Sequence, residues 1–184
     1  MMKKGFYLLS ILVFLSCATL LVRMFVPCPY RYNTEAATAY ITRNASPRSK
    51  GLCAQHVRKA LETGGCPTWG HPMTAKSYKS FLLYLDFTCI DKKGYHPKRG
   101  DIVVFSSAKG HPYGHIAMWN GKQWISDFRQ MGLFVTPIYA KEGNFDYYRM
   151  TKKHPKRHYT LQHHITGIAS EPLTAAYHSI KKYL

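Results

Sequence analysis

Hydrophobic and polar positions divide the chain into stretches of different pattern. Residues 6–22 form an uncharged apolar run behind two lysines, which is typical of an export signal or a single membrane anchor. Residues 46–150 carry helical and then strand-like spacing of apolar residues. We therefore predict four segments, namely a signal peptide or membrane anchor (1–26), a linker (27–45), a folded domain (46–150) and a basic C-terminal extension (151–184).

Apolar residues at helical spacing predict two helices in the first half of the domain. The first helix follows Ser49, its expected N-cap, and ends at Gly64-Gly65. Its inward face is formed by Cys53, Val57, Ala60 and Leu61. The second helix covers residues 73–85, where a stripe of apolar side chains is most simply core. In the linker, one short helical turn is expected around residues 35–40.

The second half of the domain has the short apolar runs that are typical of strands. Residues 102–105 form one such run, and residues 115–119 form the next. Asn120-Gly121 separates this run from residues 123–128, and Asn-Gly between two such runs is the strongest short signal for a β-hairpin. A last strand is expected around residues 146–150. Helices followed by a small antiparallel sheet predict an α+β fold.

Cys53 and His115 have the positions that nucleophilic thiol chemistry requires. Cys53 lies in the first turn of a predicted helix, where free backbone N–H groups and the helix dipole favour a thiolate. His115 begins a predicted strand and can take the thiol proton as a general base. Taken alone, each residue is more simply an ordinary thiol or a core histidine. The motifs around them favour a thiol hydrolase.

The net charge of +17, from 26 Lys and Arg against 9 Asp and Glu, narrows the expected partners. It points to an anionic partner such as a cell envelope, a lipid surface or nucleic acid. The excess is densest in the two ends of the chain, and the N-terminus is typical of export, so we argue against nucleic acid. The histidines of the tail lack carboxylate or cysteine ligands at matching spacing, so no metal site is predicted.

Export also sets the expected compartment and the state of the cysteines. We expect a protein of the cell envelope, with an uncleaved inner-membrane anchor and its domain in the periplasm, or a secreted protein whose signal peptide is removed. In an oxidising compartment, Cys66 and Cys89 can form a disulfide while Cys53 stays free. Two unpaired buried thiols fit the sequence equally well.

Four motifs of the domain occur in an order that is known from one superfamily. They are the helix that begins near Cys53 and residues 100–105, 114–118 and 124–130. As a set they resemble the NlpC/P60 and CHAP superfamily of papain-like peptidoglycan amidases, over about residues 46–150. The patterns Cys-Ala-Gln-x-Val-Arg-x-Ala-Leu-Glu-x-Gly-Gly and Trp-x-Ser-Asp-Phe-x-Gln are similar to the amidase effectors that bacteria inject into rivals by type VI secretion. The resemblance implies a papain-like domain of the NlpC/P60 type, with N-terminal helices packed on a small antiparallel sheet. The apolar run before this domain predicts a further, apolar helix, and such an N-terminus departs from the pattern of the injected effectors. No cofactor is predicted.

The resemblance also implies a triad, with Cys53 as nucleophile, His115 as general base and Asp127 as the residue that orients His115. Asp127 follows His115 at an even spacing across the predicted hairpin, so both side chains can face the helix. The Cys53 backbone N–H is expected to be one oxyanion donor, and Gln55 is a guess for the second. Trp124 is a weaker candidate for substrate contact, since hairpin packing is its simpler role.

The function predicted from these motifs is hydrolysis of amide bonds in peptidoglycan stem peptides. Two alternatives stay open, namely a catalytically silent, membrane-tethered module that binds the envelope and a thiol acyltransferase or isopeptidase with a non-wall substrate. The expected partners are peptidoglycan, inner-membrane lipid at the N-terminus, and an immunity or secretion-system protein. An antibacterial toxin and a wall-remodelling enzyme are both compatible with the sequence.

Overall fold

The computed structural model describes residues 28–152 and 155–157. The helices are α1 (Thr34–Arg43), α2 (Cys53–Thr63), α3 (Tyr78–Tyr84) and α4 (Pro137–Glu142). The strands are β1 (Cys28–Pro29), β2 (Thr88–Ile90), β3 (Ile102–Phe105), β4 (His115–Trp119), β5 (Trp124–Ile125), β6 (Phe145–Arg149) and β7 (Lys156–Arg157). The expectations for the apolar N-terminal helix and for the far end of the basic extension fall outside these residues. Within them, the helices are all too short or too polar to span a lipid bilayer.

The central element is an antiparallel sheet with strand order β2-β6-β3-β4-β5. Strand β3 pairs with β4 so that Phe105 lies opposite His115, and with β6 so that Phe105 lies opposite Phe145. Helices packed against such a sheet confirm the α+β expectation. The two-residue strands β1 and β7 pair separately, and they join the start of the described chain to its end.

Both faces of the sheet are covered, which explains why β3 is apolar at every position. One face packs against α1, α2 and α3, and its sheet residues are Ile102, Val104, Ile116, Met118 and Ile125. The opposite face packs against α4, and its sheet residues are Val103, Phe105, Ala117, Trp124 and Tyr147. Burying a large apolar side chain stabilises a fold by about 1.5–3 kcal/mol, so these two layers supply the main driving force for folding.

Helix α1 corrects the expectation of a linker over residues 27–45. Its residues Ala37 and Ile41 are fully buried in the core shared with α2. Asn33 caps the helix, because its side-chain oxygen accepts a hydrogen bond from the Ala36 N–H at 3.0 Å. A side chain at Gly64 would collide with Tyr32 and Ala37, so α1 and the end of α2 approach closely. The folded unit therefore begins before residue 46.

Two predicted elements are shorter than the sequence indicated. The helix predicted over residues 73–85 begins at Tyr78, because the Lys76 N–H is bonded to the Tyr113 carbonyl and holds a loop. The strand predicted over residues 123–128 ends at Ile125. Beyond it the Ser126 N–H turns back onto the Phe128 carbonyl at 3.0 Å, so the strand alternation stops there.

The predicted disulfide between Cys66 and Cys89 is not formed, and both are free thiols. Cys66 is buried after the end of α2, and its sulfur lies 3.9 Å from the Tyr30 hydroxyl. Cys89 lies exposed on β2, at an edge of the sheet. The two side chains therefore occupy different environments.

Candidate active site

Cys53 is the first residue of α2, as the sequence predicted. The backbone N–H groups of Ile116, Ala54 and Cys53 itself lie near its sulfur and lower the pKa of the thiol. Burial raises the pKa of the Cys53 thiol, and these donors offset only part of that rise. This contact holds the nucleophile against β4 at Ile116, the residue that directly follows His115.

His115 begins β4 and is only 7% exposed. Its ring lies against Phe105, with the ring centres 6.0 Å apart. Burial lowers the pKa of His115 from 6.5 to about 4, although the Asp127 carboxylate acts in the opposite direction. His115 is therefore a neutral imidazole at neutral pH, which is the form that a general base requires.

Gln130 is the hydrogen-bond partner of His115. Its side-chain nitrogen lies 2.7 Å from the His115 Nε2 atom, and both residues are buried. This contact engages Nε2, and Gln130 leaves the other ring nitrogen, Nδ1, free. The loop reaches this position because the Gln130 N–H is bonded to the Trp124 carbonyl at 3.0 Å, which folds the chain back beside β5.

Asp127 is 0% exposed and supports the chain that leads into α2. Its Oδ2 atom accepts hydrogen bonds from the Lys50 N–H at 2.5 Å and the Leu52 N–H at 3.2 Å. Burial raises the pKa of Asp127, but these backbone donors and the Ser126 hydroxyl lower it by more, so the net shift is downward. Asp127 is therefore a charged anchor at neutral pH.

Asp127, rather than a capping Ser49, organises the chain before α2. The residue before the helix is Leu52, which makes no side-chain cap, so Ser49 is not the N-cap that the sequence predicted. The Ser49 hydroxyl instead lies 3.4 Å from Asp127 Oδ2 and accepts from the Gly51 N–H at 3.3 Å. The carboxylate organises residues 49–52, and the first N–H groups of α2 stay free of side-chain caps.

The structure brings Cys53, His115 and Asp127 into one cluster. The negative charge of Asp127 raises the pKa of both Cys53 and His115, so its carboxylate lies within electrostatic reach of each. Among the hydrogen bonds of the described residues, however, the one that His115 makes is to Gln130 rather than to Asp127. Over the same residues, no group of three metal-ligating side chains is close enough to hold a metal ion.

Gln55 and Trp124, the other two expected site residues, have different surroundings. Gln55 is exposed on α2. Trp124 is buried on the face of the sheet that α4 covers, where its ring meets Trp119 edge-on at 5.3 Å and stacks on Tyr147 at 6.0 Å. Trp124 is thus a packing residue of the hairpin.

Two solved structures are similar to this chain. One is the crystal structure of the type VI native effector–immunity complex Tae3–Tai3 from Ralstonia pickettii, with 38% identity, a TM-score of 0.59, and coverage of 64% of this chain and 98% of that chain. This chain belongs to the Tae3 family of type VI effectors. The selenomethionine form of that complex matches with 36% identity, a TM-score of 0.53, and coverage of 62% and 99%. No protein-family model and no curated protein matches.

Membership in the Tae3 family confirms the expected likeness to type VI effectors, and the Tae3 neighbours fit a papain-like fold. The comparisons name neither the NlpC/P60 nor the CHAP families. Sequence reasoning missed Gln130, although the motif Trp-x-Ser-Asp-Phe-x-Gln ends on it. It also missed Tyr139 of α4, which packs beside His115 with ring centres 6.3 Å apart. No sequence signal marked Tyr139, because its segment had no clear period.

Proposed function

We propose that this protein is a cysteine amidase that hydrolyses amide bonds in peptidoglycan stem peptides. The observation that carries the proposal is the position of Cys53 at the start of α2, with its sulfur near the Ile116 N–H of β4, and Ile116 directly follows the buried, neutral His115. A thiol with an adjacent base is the arrangement that covalent acyl transfer needs. Membership in the Tae3 family supports an amidase effector as the setting of this chemistry.

The reaction starts from a neutral pair, because burial raises the pKa of Cys53 and lowers that of His115. His115 takes the thiol proton as the sulfur attacks the amide carbonyl, and a tetrahedral intermediate forms. His115 then gives this proton to the leaving amine, and a thioester remains on Cys53. Water, activated by His115, attacks the thioester, which releases the new carboxylic acid and restores the thiol.

Gln130 holds the base in its reactive form. For Nδ1 of His115 to accept the thiol proton, the ring proton must lie on Nε2. The Nε2–H group then donates a hydrogen bond to the side-chain oxygen of Gln130. That oxygen, Oε1, is buried and without a hydrogen-bond partner over the described part of the chain. A half-turn of the amide exchanges its nitrogen for this oxygen at the same place. Gln130 is thus a positioning residue for His115.

Asp127 supports the same step from a distance. Its charge raises the pKa of His115, which stabilises the imidazolium that forms during attack. Its hydrogen bonds to Lys50 and Leu52 also fix the chain that presents Cys53. The triad of Cys53, His115 and Asp127 is therefore proposed with a changed division of roles, in which Gln130 orients the imidazole and Asp127 supplies charge and support.

The type VI neighbours, which are effector–immunity complexes, support a proposal for the biological setting. We propose that the protein acts on the wall of a target cell from its periplasm, and that an immunity protein binds it there. The net charge of +17 favours contact with anionic envelope polymers.

Digestion of purified sacculi tests the proposal. The purified protein is incubated with peptidoglycan, and the released fragments are identified by mass spectrometry. Fragments with a new amine and a new carboxyl group are expected, and their masses name the bond that is cut. Cys53→Ala should abolish the release, whereas Cys89→Ala, a matched change at an exposed thiol, should leave it unchanged.

Two results would contradict the proposal. Release that survives Cys53→Ala would remove the nucleophile from the mechanism. Intact sacculi with every variant, together with tight binding to them, would instead favour the silent envelope-binding module.

A further inference from the structure

Tyr139 is a buried tyrosine at the candidate site that the mechanism above does not use. It lies in α4 and is 3% exposed. Its ring packs against Phe105, with the centres 4.8 Å apart, and against the rings of His111 and His115 at 5.2 Å and 6.3 Å. The phenol is thus held in place next to the proposed base.

The hydroxyl of Tyr139 has no hydrogen-bond partner within the described part of the chain, although it is buried. An unsatisfied buried hydroxyl costs about 1–3 kcal/mol, so folded proteins rarely keep one without a role. The neighbouring tyrosine of the same packed layer, Tyr147, is buried too but lies on β6 against Tyr95 and Trp124. Within the described part of the chain, Tyr139 therefore combines a buried, unpaired hydroxyl with a ring that packs beside His115.

The hydroxyl lies within electrostatic reach of the nucleophile. Burial raises the pKa of Tyr139 to about 12, and the charge of a Cys53 thiolate contributes to that rise. The phenol therefore keeps its proton at neutral pH and can act only as a hydrogen-bond donor towards an anion. A protonated donor within electrostatic reach of the sulfur matches what the tetrahedral intermediate needs.

Thiol acyl transfer places a negative oxygen next to the nucleophile, and enzymes stabilise it with fixed donors. The backbone N–H of Cys53 is the expected first donor, and Gln55, the sequence-based guess for the second, is exposed on α2. We propose that the Tyr139 hydroxyl donates the second hydrogen bond to this oxyanion, which makes Tyr139 a catalytic residue. The inference rests on the proposed acyl-transfer chemistry of Cys53, but it does not depend on peptidoglycan as the substrate.

Two reactions of the same thiol test this role with Tyr139→Phe, which removes one oxygen atom. In the first, Cys53 attacks the ester carbonyl of p-nitrophenyl acetate, a thioester forms and p-nitrophenolate leaves. This reaction passes through an oxyanion. In the second, Cys53 displaces iodide from iodoacetamide, and no oxyanion forms. The background of other cysteines is removed by subtracting the Cys53→Ala rate in the first reaction and by mass spectrometry of the Cys53 peptide in the second.

We expect Tyr139→Phe to slow acylation by about tenfold or more, because loss of one oxyanion donor costs about 10²–10³ in turnover of natural substrates. Alkylation by iodoacetamide should stay within about twofold of the unmodified protein. Tyr147→Phe, the matched control, should change neither rate. On sacculi, Tyr139→Phe should lower kcat and leave KM unchanged, since the hydrogen bond strengthens in the transition state.

Equal slowing of acylation and alkylation would overturn the inference, since Tyr139 would then act on the thiol itself or on the fold. An unchanged acylation rate would overturn it as well. A selective loss of acylation in a protein that leaves sacculi intact would uphold the role of Tyr139 and refute only the wall substrate.

Discussion

Acidification is expected to weaken the fold through His115. Its pKa is about 4 in the folded protein and 6.5 when unperturbed, so the unfolded chain binds more protons between these values. The stability that comes from the buried neutral ring is therefore present at neutral pH and is lost as the pH falls below the unperturbed value. Asp127 and His111 act on this ring with opposite signs, and burial outweighs both.

The size of this effect follows from the two pKa values. Between about pH 7 and about pH 5, the difference in proton binding removes about 2 kcal/mol from the free energy of unfolding. The loss approaches about 3 kcal/mol near pH 4. For a small domain, this is a large part of a total stability of about 5–15 kcal/mol.

Urea unfolding at a series of pH values measures this loss in the unmodified protein and in His115→Gln. The variant keeps a polar side chain beside Gln130 but cannot titrate, so its free energy of unfolding should fall by about 2 kcal/mol less over the same interval. Other titrating groups contribute to both proteins and cancel in the difference. Parallel pH dependences in the two proteins would refute the buried neutral state of His115.

The other variants probe the supports of the site. Asp127→Asn removes the negative charge of the side chain that accepts hydrogen bonds from the backbone before α2, so the free energy of unfolding in urea should fall by about 1–3 kcal/mol. An unchanged free energy of unfolding would contradict this role of Asp127. Gly114→Ala places a side chain against the Phe105 carbonyl at a φ of +71°, so its melting temperature should drop, and an unchanged one would contradict the strain. Gln130→Ala should lower kcat on sacculi about tenfold, and Gln130→Glu should move the acid limb of the pH–rate profile to higher pH. An unchanged kcat and an unchanged pH–rate profile would exclude Gln130 as the partner of His115.

The periodic elements were predictable from the sequence because local pattern and burial agree there. Helix α2, strands β3 and β4 and the Asn120-Gly121 turn follow from apolar spacing and turn chemistry. Helix α1 was underestimated, since its buried face depends on a few small or isolated residues such as Ala37 and Ile41. Such a face becomes recognisable only when α2 packs on it.

The candidate site was predictable in part for a different reason. Cys53 and His115 lie at the ends of regular elements, so their places follow from the helix and the strand. The hydrogen-bond partner of His115 was not predictable, because β5 ends at Ile125 and the chain bends before Asp127. Strand alternation no longer applies beyond that bend, and long-range contacts decide that Gln130 meets the imidazole.

The most direct test of the account is the release of peptide fragments from purified sacculi by the unmodified protein, Cys53→Ala and Cys89→Ala, measured side by side. The account predicts amide-bond cleavage by the unmodified protein and by Cys89→Ala, and none by Cys53→Ala with its fold intact. Cleavage by Cys53→Ala at a rate similar to that of the other two proteins would contradict it.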